Sequence, residues 1–140
     1  MEDFDRIIIK DVVIEIVNLT RATYKEALEL KERLNIDVIR NFKKVVIDLR
    51  QCEFIDSTFL GAIVYTKKNI LDKEGDIRIV KSNSHIRTMI EKVGANRFFS
   101  IFATIEAAVQ SYDSKTISNN YPFQNQDSRK RVYVQNLLTI

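Results

Sequence analysis

The sequence KKVVIDLRQCEFIDSTFLGAIVYTKKNIL, residues 43–71, contains the pattern that decides the fold. Residues 45–49 are β-branched or apolar at nearly every position, which is typical of a central strand covered on both faces. Asp56, Ser57 and Thr58 follow after a short turn. Residues of these types favour helix starts because their side-chain oxygens accept hydrogen bonds from the first unpaired backbone N–H groups. The stretch therefore predicts a buried strand, a turn and a helix that begins at Asp56-Ser57-Thr58.

The two hydroxyls at this helix start allow three interpretations. A helix cap explains the residue types, and spacing alone favours it. A covalent switch is the second, because a phosphate there adds about −1.5 to −2 charge beside backbone N–H groups and the positive end of the helix dipole. A catalytic serine is the third, but Ser57 lacks the flanking glycines of a hydrolase elbow. His85 is the only histidine, and we interpret it as a surface or capping residue, so no catalytic residue is predicted.

Composition and charge exclude several classes of protein. A chain of 140 residues with 45% hydrophobic content fits one domain with one core. Its 22 Lys+Arg and 19 Asp+Glu are interspersed, which argues against a dedicated nucleic-acid binder. Three glycines leave no phosphate-binding loop, and one cysteine with one histidine disfavours a metal site. We therefore expect no cofactor and no metal.

The start of the chain and its apolar runs bear on location. Residues 1–5 are acidic where a signal peptide would be basic and then apolar. No apolar run approaches the ~20 residues of a membrane span. The single cysteine, Cys52, fits a reducing compartment, and with no second cysteine beside it we interpret it as a small half-buried side chain. The sequence therefore predicts a cytoplasmic protein without membrane insertion.

Strands and helices alternate along the chain. Two β-branched runs separated by Lys10-Asp11 predict a hairpin with Asp11 as the turn residue. The order is then β-β-α-β-α-β-α-β-α, which implies right-handed crossovers and an α/β fold. We expect a mixed, mostly parallel sheet of about five strands with about four helices. Asp48 at the end of a central strand suggests a response regulator, but the other acidic residues and the lysine of that fold are missing.

Local patterns make three further predictions. Thr20 or Thr23 caps the first helix, Gly75 is available for a positive-φ position in the turn at residues 73–76, and Gly94 stops the third helix. The apolar face of the first helix is assigned to Tyr24, Ala27, Leu28, Lys31, Leu34, Val38 and Ile39.

Composition changes after Tyr112. We predict one domain at residues 1–112 and a polar C-terminal extension at residues 113–140, partly flexible or docking. The extension is rich in Ser, Asn and Gln, includes the basic triplet at residues 129–131, and regains apolar character at residues 132–134 and near its end. It is either a fraying tail or a segment whose end docks on the domain or on a partner.

The sequence VVIDLRQCEFIDSTFLGAIV, followed by GDIRIV and HIRTMIEKVGANRFFSIFATIEAAV, resembles the STAS domain, specifically the stand-alone anti-sigma factor antagonists of bacteria. The resemblance runs from about Phe4 to Tyr112. Its most specific part is the strand that ends in Asp-Leu, six residues of turn, and then Asp-Ser-Thr/Ser-x-Leu-Gly. It implies the STAS fold, and it places the covalent switch ahead of the helix cap.

The resemblance also implies a site and its partners. Thr58 is the implied phosphoacceptor, with Ser57 as the alternative, and Leu60-Gly61 packs the helix start. The partner is a GHKL-type serine kinase that is also the anti-sigma factor, and a serine/threonine phosphatase is a further partner. The unphosphorylated chain binds the kinase and the phosphorylated chain releases it, so the chain itself is not an enzyme. The partner-binding residues are assigned to Asp56, Ser57, Thr58, Phe59, Thr20 and Arg21, together with the exposed side of the following helix.

Two positions differ from the family pattern. Phe59 stands where the family usually has glycine, and its ring either packs inward or enlarges the contact surface. Thr20 replaces an acidic residue, and Arg21 beside it reverses the local charge. One alternative is a structural subunit of a stressosome-like scaffold or of a transporter ATPase complex, in which Thr58 is only a cap. A further alternative is that the protein is an enzyme or a small-ligand sensor.

Overall fold

The computed structural model describes residues 2–81 and 84–113. The predicted C-terminal extension lies outside the described residues except for Asp113. Strands and helices follow the predicted alternation, with two extra short strands. The elements are β1 Phe4–Ile9, β2 Val12–Val17, β3 Arg21–Ala22, α1 Tyr24–Ile39, β4 Lys44–Asp48, β5 Phe54–Ile55, α2 Ser57–Leu71, β6 Asp76–Val80, α3 Ser84–Lys92, β7 Ser100–Phe102 and α4 Ile105–Tyr112.

The main sheet has five strands in the order β1-β2-β4-β6-β7. β1 and β2 form the predicted antiparallel hairpin, and the other neighbours are parallel, so the predicted mixed sheet with four helices is confirmed. Lys10 and Asp11 form the predicted turn between the paired residues Ile9 and Val12, and the positive φ of this turn lies at Lys10 (57°). β3 and β5 pair with each other as a separate two-stranded sheet. Strands of two residues carry no periodicity, which is why the sequence did not reveal them.

Both faces of the main sheet are covered. Alternate residues of a strand point to opposite faces, so Val45 and Ile47 of β4 face one core and Val46 faces the other. The larger core lies under α1, α2 and α3, and the smaller one lies under α4. A strand buried on both faces explains the nearly continuous apolar run at residues 45–49.

The buried face of α1 differs from the predicted one. Leu30 and Leu34 are fully buried, whereas Tyr24 is 66% exposed and Leu28 is 65% exposed. Lys31 and Ile39 are exposed as well, so the assignment of Tyr24, Leu28, Lys31 and Ile39 to the buried face was wrong. Asp37 belongs to the buried face and pairs with Arg6 of β1, so an apolar pattern alone could not locate that face.

Two glycines serve different purposes. Gly94 has a φ of 75° and ends α3, as predicted. Glu74, not Gly75, has the positive φ (64°) of the turn before β6, so that prediction was wrong. Gly75 is required because a Cβ atom there would lie 2.6 Å from the carbonyl oxygen of Lys43.

An ionic cluster is buried between the β1–β2 hairpin and α1. Arg6 Nε lies 2.7 Å from Glu15 Oε2 and 3.0 Å from Asp37 Oδ1, and Arg33 Nε lies 2.8 Å from Glu15 Oε1. Both carboxyl groups are fully buried. Burial raises the pKa of Glu15, but its hydrogen bonds with Asp37 and Arg33 outweigh that effect and hold the pKa below its usual value. Burial and the neighbouring Glu15 raise the pKa of Asp37 to about 8.

This cluster predicts a pH-dependent stability. In the folded chain Asp37 keeps a proton that the unfolded chain loses above its reference pKa of 3.8, so the folded state binds more protons up to about pH 8. Asp37 therefore makes stability fall as pH rises through this window, by up to ~1.4 kcal/mol per pH unit. Asp37→Asn keeps an amide N–H for Glu15 and should remove this fall in urea denaturation series from pH 4 to 8. Asp72 is exposed, and Asp72→Asn is the control. If the stability of Asp37→Asn fell with pH in parallel with that of the wild type, the raised pKa would not belong to Asp37.

Candidate functional site

The pairing of β3 with β5 brings two distant loops together. Arg21 lies opposite Phe54 and Ala22 opposite Ile55, and the N–H of Asp56 donates to the carbonyl of Ala22 over 3.1 Å. Each short strand leads almost directly into a helix. The N-terminal ends of α1 and α2 are therefore held side by side.

Asp56 links these two helix starts. Its Oδ1 accepts the N–H of Phe59 at 2.8 Å and caps α2, while its Oδ2 accepts the N–H of Tyr24 at 2.8 Å in the first turn of α1. Thr23 caps α1 through a capping box with Glu26. The prediction that Thr23 or Thr20 caps this helix is thus confirmed for Thr23. One carboxylate thus accepts hydrogen bonds from both helices and holds their N-terminal ends in a fixed relative position.

Ser57 and Thr58 are both exposed in the first turn of α2. The cap of this helix is Asp56, so the interpretation of Thr58 as the cap was wrong. Both hydroxyls are open to solvent at the positive end of the helix dipole. An exposed hydroxyl in such a place is accessible to a modifying enzyme, and an added phosphate would face backbone N–H groups.

The next three residues differ in burial. Phe59 is fully buried and belongs to the larger core. Its assignment to the partner-binding surface was therefore wrong, and the ring packs inward because the groove below α2 is apolar. Leu60 is 1% exposed and packs the helix start as expected. Gly61 does not, since it is exposed and a Cβ atom there would meet none of the described atoms outside its own helix within 4 Å.

Thr20 and Arg21 lie beside the helix starts. Thr20 is exposed, and its carbonyl accepts the N–H groups of Glu53 and Phe54. The exposed guanidinium of Arg21 lies 4.3 Å from the ring centroid of Phe54, a cation–π contact. The exposed ring of His85 stacks with Phe54 at 5.5 Å between centroids. The structure thus places a cation and an imidazole beside the loop that ends at Asp56.

The sequence did not reveal the contribution of α1 to this surface. Lys31 Nζ lies 4.1 Å from the ring centroid of Tyr65, so the outer stripe of α1 runs alongside the exposed side of α2. Side chains four and three residues apart share this stripe of α1. We call the resulting surface the switch face, and it consists of Tyr24, Leu28, Thr58, Gly61 and Tyr65, all of which are exposed. Tyr24 and Leu28 were missed because apolar helical residues were assigned to the core.

Two residues near the site have structural roles. Cys52 is buried, and burial raises the pKa of its thiol to about 12, which leaves it unreactive. The carboxylate of Asp48 is occupied by Arg50, with Nε to Oδ1 at 2.9 Å and Nη2 to Oδ2 at 3.0 Å. Within residues 2–81 and 84–113, no three His, Cys, Asp or Glu side chains are grouped so as to hold a metal ion. None of the described helices is both long enough and apolar enough to cross a membrane.

The cap assignment leads to a graded prediction. Asp56→Ala removes both acceptors and should lower the free energy of unfolding by about 2 kcal/mol, while Asp56→Asn keeps one acceptor and should cost about 1 kcal/mol. Ser57→Ala and Thr58→Ala remove exposed hydroxyls and should change it by less than about 0.5 kcal/mol. Urea denaturation monitored by circular dichroism measures all four. If Thr58→Ala lowered the free energy of unfolding as much as Asp56→Ala, the Thr58 hydroxyl would have to contribute to the cap.

The geometry agrees with a known family. A family model of the STAS domain matches residues 8–108, and the chain belongs to this family. No curated protein matches the chain in a sequence comparison.

Solved structures give a second comparison. A Thermotoga maritima protein described as an anti-sigma factor antagonist is 26% identical, with a TM-score of 0.71 over 77% of this chain and 92% of that one. An anti-sigma factor antagonist from Mycobacterium paratuberculosis is 22% identical, with a TM-score of 0.70 over 77% and 91% of the two chains. The Bacillus protein SpoIIAA in its phosphorylated form is 12% identical, with a TM-score of 0.62 over 78% and 98%. The last two likenesses show the fold alone.

Proposed function

We propose that this chain is an anti-sigma factor antagonist that works as a phosphorylation-controlled binding switch, without catalysis of its own. The unphosphorylated form binds a GHKL-type serine kinase that is also the anti-sigma factor. Phosphorylation of Thr58 releases that partner, and a serine/threonine phosphatase reverses the change. Such partners act in the bacterial cytoplasm, where we place this chain.

One observation supports the proposal most strongly. Asp56 caps α2 by itself, so capping explains neither of the two exposed hydroxyls that follow it. Thr58 lies on the same exposed face of α2 as Tyr65, seven positions later, and Tyr24, Leu28 and Tyr65 are exposed although most large apolar residues of the described chain are buried. A modifiable hydroxyl beside an apolar contact surface is the arrangement that a charge-controlled interface needs.

Release follows from the charge of the phosphate. In the complex, a partner that covers the switch face would exclude water from Thr58. A dianion at that position would lose its hydration, and it would repel carboxylates of the partner. In the free protein the same phosphate remains solvated at the helix N-terminus, where the dipole favours it. Phosphorylation therefore destabilises the complex without unfolding the domain.

Mapping the phosphate tests the proposal. The full chain is incubated with ATP and with a GHKL-type kinase from the same genome, and the product is mapped by mass spectrometry. We expect one phosphate on Thr58, none in Thr58→Ala, and an unchanged yield in Ser57→Ala. Phosphate on Ser57 alone would move the acceptor by one residue, and phosphate on neither would overturn the proposal.

Gly61 offers a separate test of the contact surface. An interior helix glycine costs about 1 kcal/mol relative to alanine, and no described residue outside the helix fills the space beside this one. We infer that the partner approaches closely here. Gly61→Ala should raise the free energy of unfolding by about 1 kcal/mol. Gly61→Arg should fold normally yet weaken kinase binding at least tenfold, as measured by isothermal titration calorimetry, and unchanged binding would exclude α2 from the contact.

A further inference from the structure

The outer edge of β1 is an unprotected strand edge in the described part of the chain. β1 is the first strand of the sheet, and no described strand pairs with its outer side. Three consecutive isoleucines occupy its second half, with Ile7 40%, Ile8 55% and Ile9 37% exposed. An exposed apolar edge strand is a template for pairing with another strand, and proteins normally cover such edges.

The register shows which backbone groups face outward. The N–H of Asn18 donates to the carbonyl of Asp3 at 2.8 Å, so these two residues form a hydrogen-bonded pair of the antiparallel ladder. Hydrogen-bonded and non-hydrogen-bonded pairs alternate along such a ladder. Arg6 and Ile8 therefore turn their N–H and C=O groups away from β2 and toward the open edge. Ile7 turns its own groups toward β2.

The last described residues lie close to this edge. Tyr112 anchors the end of α4 through its hydroxyl, which lies 2.8 Å from the carbonyl of Val45 and 2.7 Å from that of Asp76. The next residue, Asp113, pairs with Lys10 in the β1–β2 turn at 2.8 Å. The described part of the chain thus ends at Asp113, beside the end of β1.

The sequence of this segment matches the edge. Residues 132–134 are Val-Tyr-Val, residue types that favour strands, and four further residues at 137–140 are mostly apolar. The basic triplet at residues 129–131 is complementary to Glu2, Asp3 and Asp5, which are exposed at the start of β1. Residues 114–128 can span ~50 Å when extended, whereas β1 is only roughly 20 Å long.

We propose that residues 132–134 add a strand to the outer edge of β1 of the same chain. Their backbone pairs with Arg6 and Ile8, the basic triplet lies beside the acidic start of β1, and the apolar residues that follow cover Ile7 and Ile9. We assign the edge to this segment and not to a second copy of the chain for two reasons. Asp113, the residue before the segment, lies beside β1. The positive charge of the basic triplet also complements the acidic start of β1. The docked segment closes the sheet edge independently of the switch face.

Amide hydrogen exchange of the full chain, measured by NMR, tests the proposal. In the wild type the amides of Arg6 and Ile8 should be protected. The double variant Val132→Asp, Val134→Asp should speed their exchange at least tenfold while the amide of Ile7, bonded to β2, changes little. The control Asn120→Asp, Gln124→Asp adds the same charge in the polar part of the segment and should change nothing.

Two outcomes would overturn the proposal. The first is exchange of Arg6 and Ile8 that is as fast in the wild type as in the Val132→Asp, Val134→Asp variant. The second is protection that persists in this variant and grows with protein concentration as the mass in solution doubles, which would assign the edge to a second copy of the chain.

Discussion

Replacing Phe59 with alanine should lower the free energy of unfolding by about 3–5 kcal/mol, the usual cost of truncating a buried aromatic ring. Phe59 is among the largest fully buried side chains and packs in the core under α1, α2 and α3. The resemblance left open whether this ring packs inward or enlarges the contact surface. Because the ring is buried, Phe59 contributes to the stability of the fold, although it directly follows the proposed phosphoacceptor Thr58.

Two controls accompany this variant in urea denaturation. Phe59→Leu keeps most of the apolar volume and should cost clearly less than Phe59→Ala. Tyr65→Ala truncates an aromatic ring that is 50% exposed on the same helix and should cost about 1 kcal/mol or less. A stable Phe59→Ala variant with weakened partner binding would show that Phe59 acts in the interface after all.

The variant Thr58→Asp should bind the kinase at least tenfold more weakly than the wild type, a loss of about 1.4 kcal/mol or more. An aspartate places a permanent negative charge on the switch face, and a partner that covers it must desolvate that charge. The same charge lies at the positive end of the α2 dipole, so the free domain should be as stable as the wild type or slightly more so. Calorimetric titration and urea denaturation give the two readouts.

Thr58→Asn and Asn96→Asp separate charge from shape. Thr58→Asn has the size of aspartate without its charge and should bind nearly as well as the wild type. Asn96 is exposed and lies outside the switch face, so Asn96→Asp adds a charge elsewhere and should leave the affinity unchanged. Equal affinities for Thr58→Asp and Thr58→Asn would exclude a release based on charge.

Much of the fold could be read from the sequence because its signals are local. The continuous apolar run of β4, the β-branched hairpin and the glycine at the end of α3 each carry a physical reason in their own residues. The buried face of α1 could not be predicted in this way. Asp37 is buried there within 3.0 Å of Arg6, a residue of β1 that stands thirty-one positions earlier in the chain. Periodicity within α1 contains no information about such a partner.

At the candidate site, too, local features could be predicted from the sequence and tertiary contacts could not. The helix start at Asp56-Ser57-Thr58 was predicted correctly, since capping chemistry is local. The second bond of Asp56, to the N–H of Tyr24, depends on the pairing of β3 with β5 and was not foreseeable from spacing. The outward position of Tyr24 and Leu28 was also hidden, because exposed and buried apolar residues look alike in a sequence. The candidate site therefore depends on tertiary pairing that brings two helix starts together.

The central claim is that phosphorylation of Thr58 separates the chain from its kinase. The most direct measurement follows the purified complex of the two proteins by size-exclusion chromatography with light scattering, before and after addition of ATP and Mg²⁺. We predict that the complex dissociates as Thr58 gains phosphate. It should persist with Thr58→Ala under the same conditions. A complex that stays intact while Thr58 is fully phosphorylated would contradict the account, and it would favour a structural subunit over a switch.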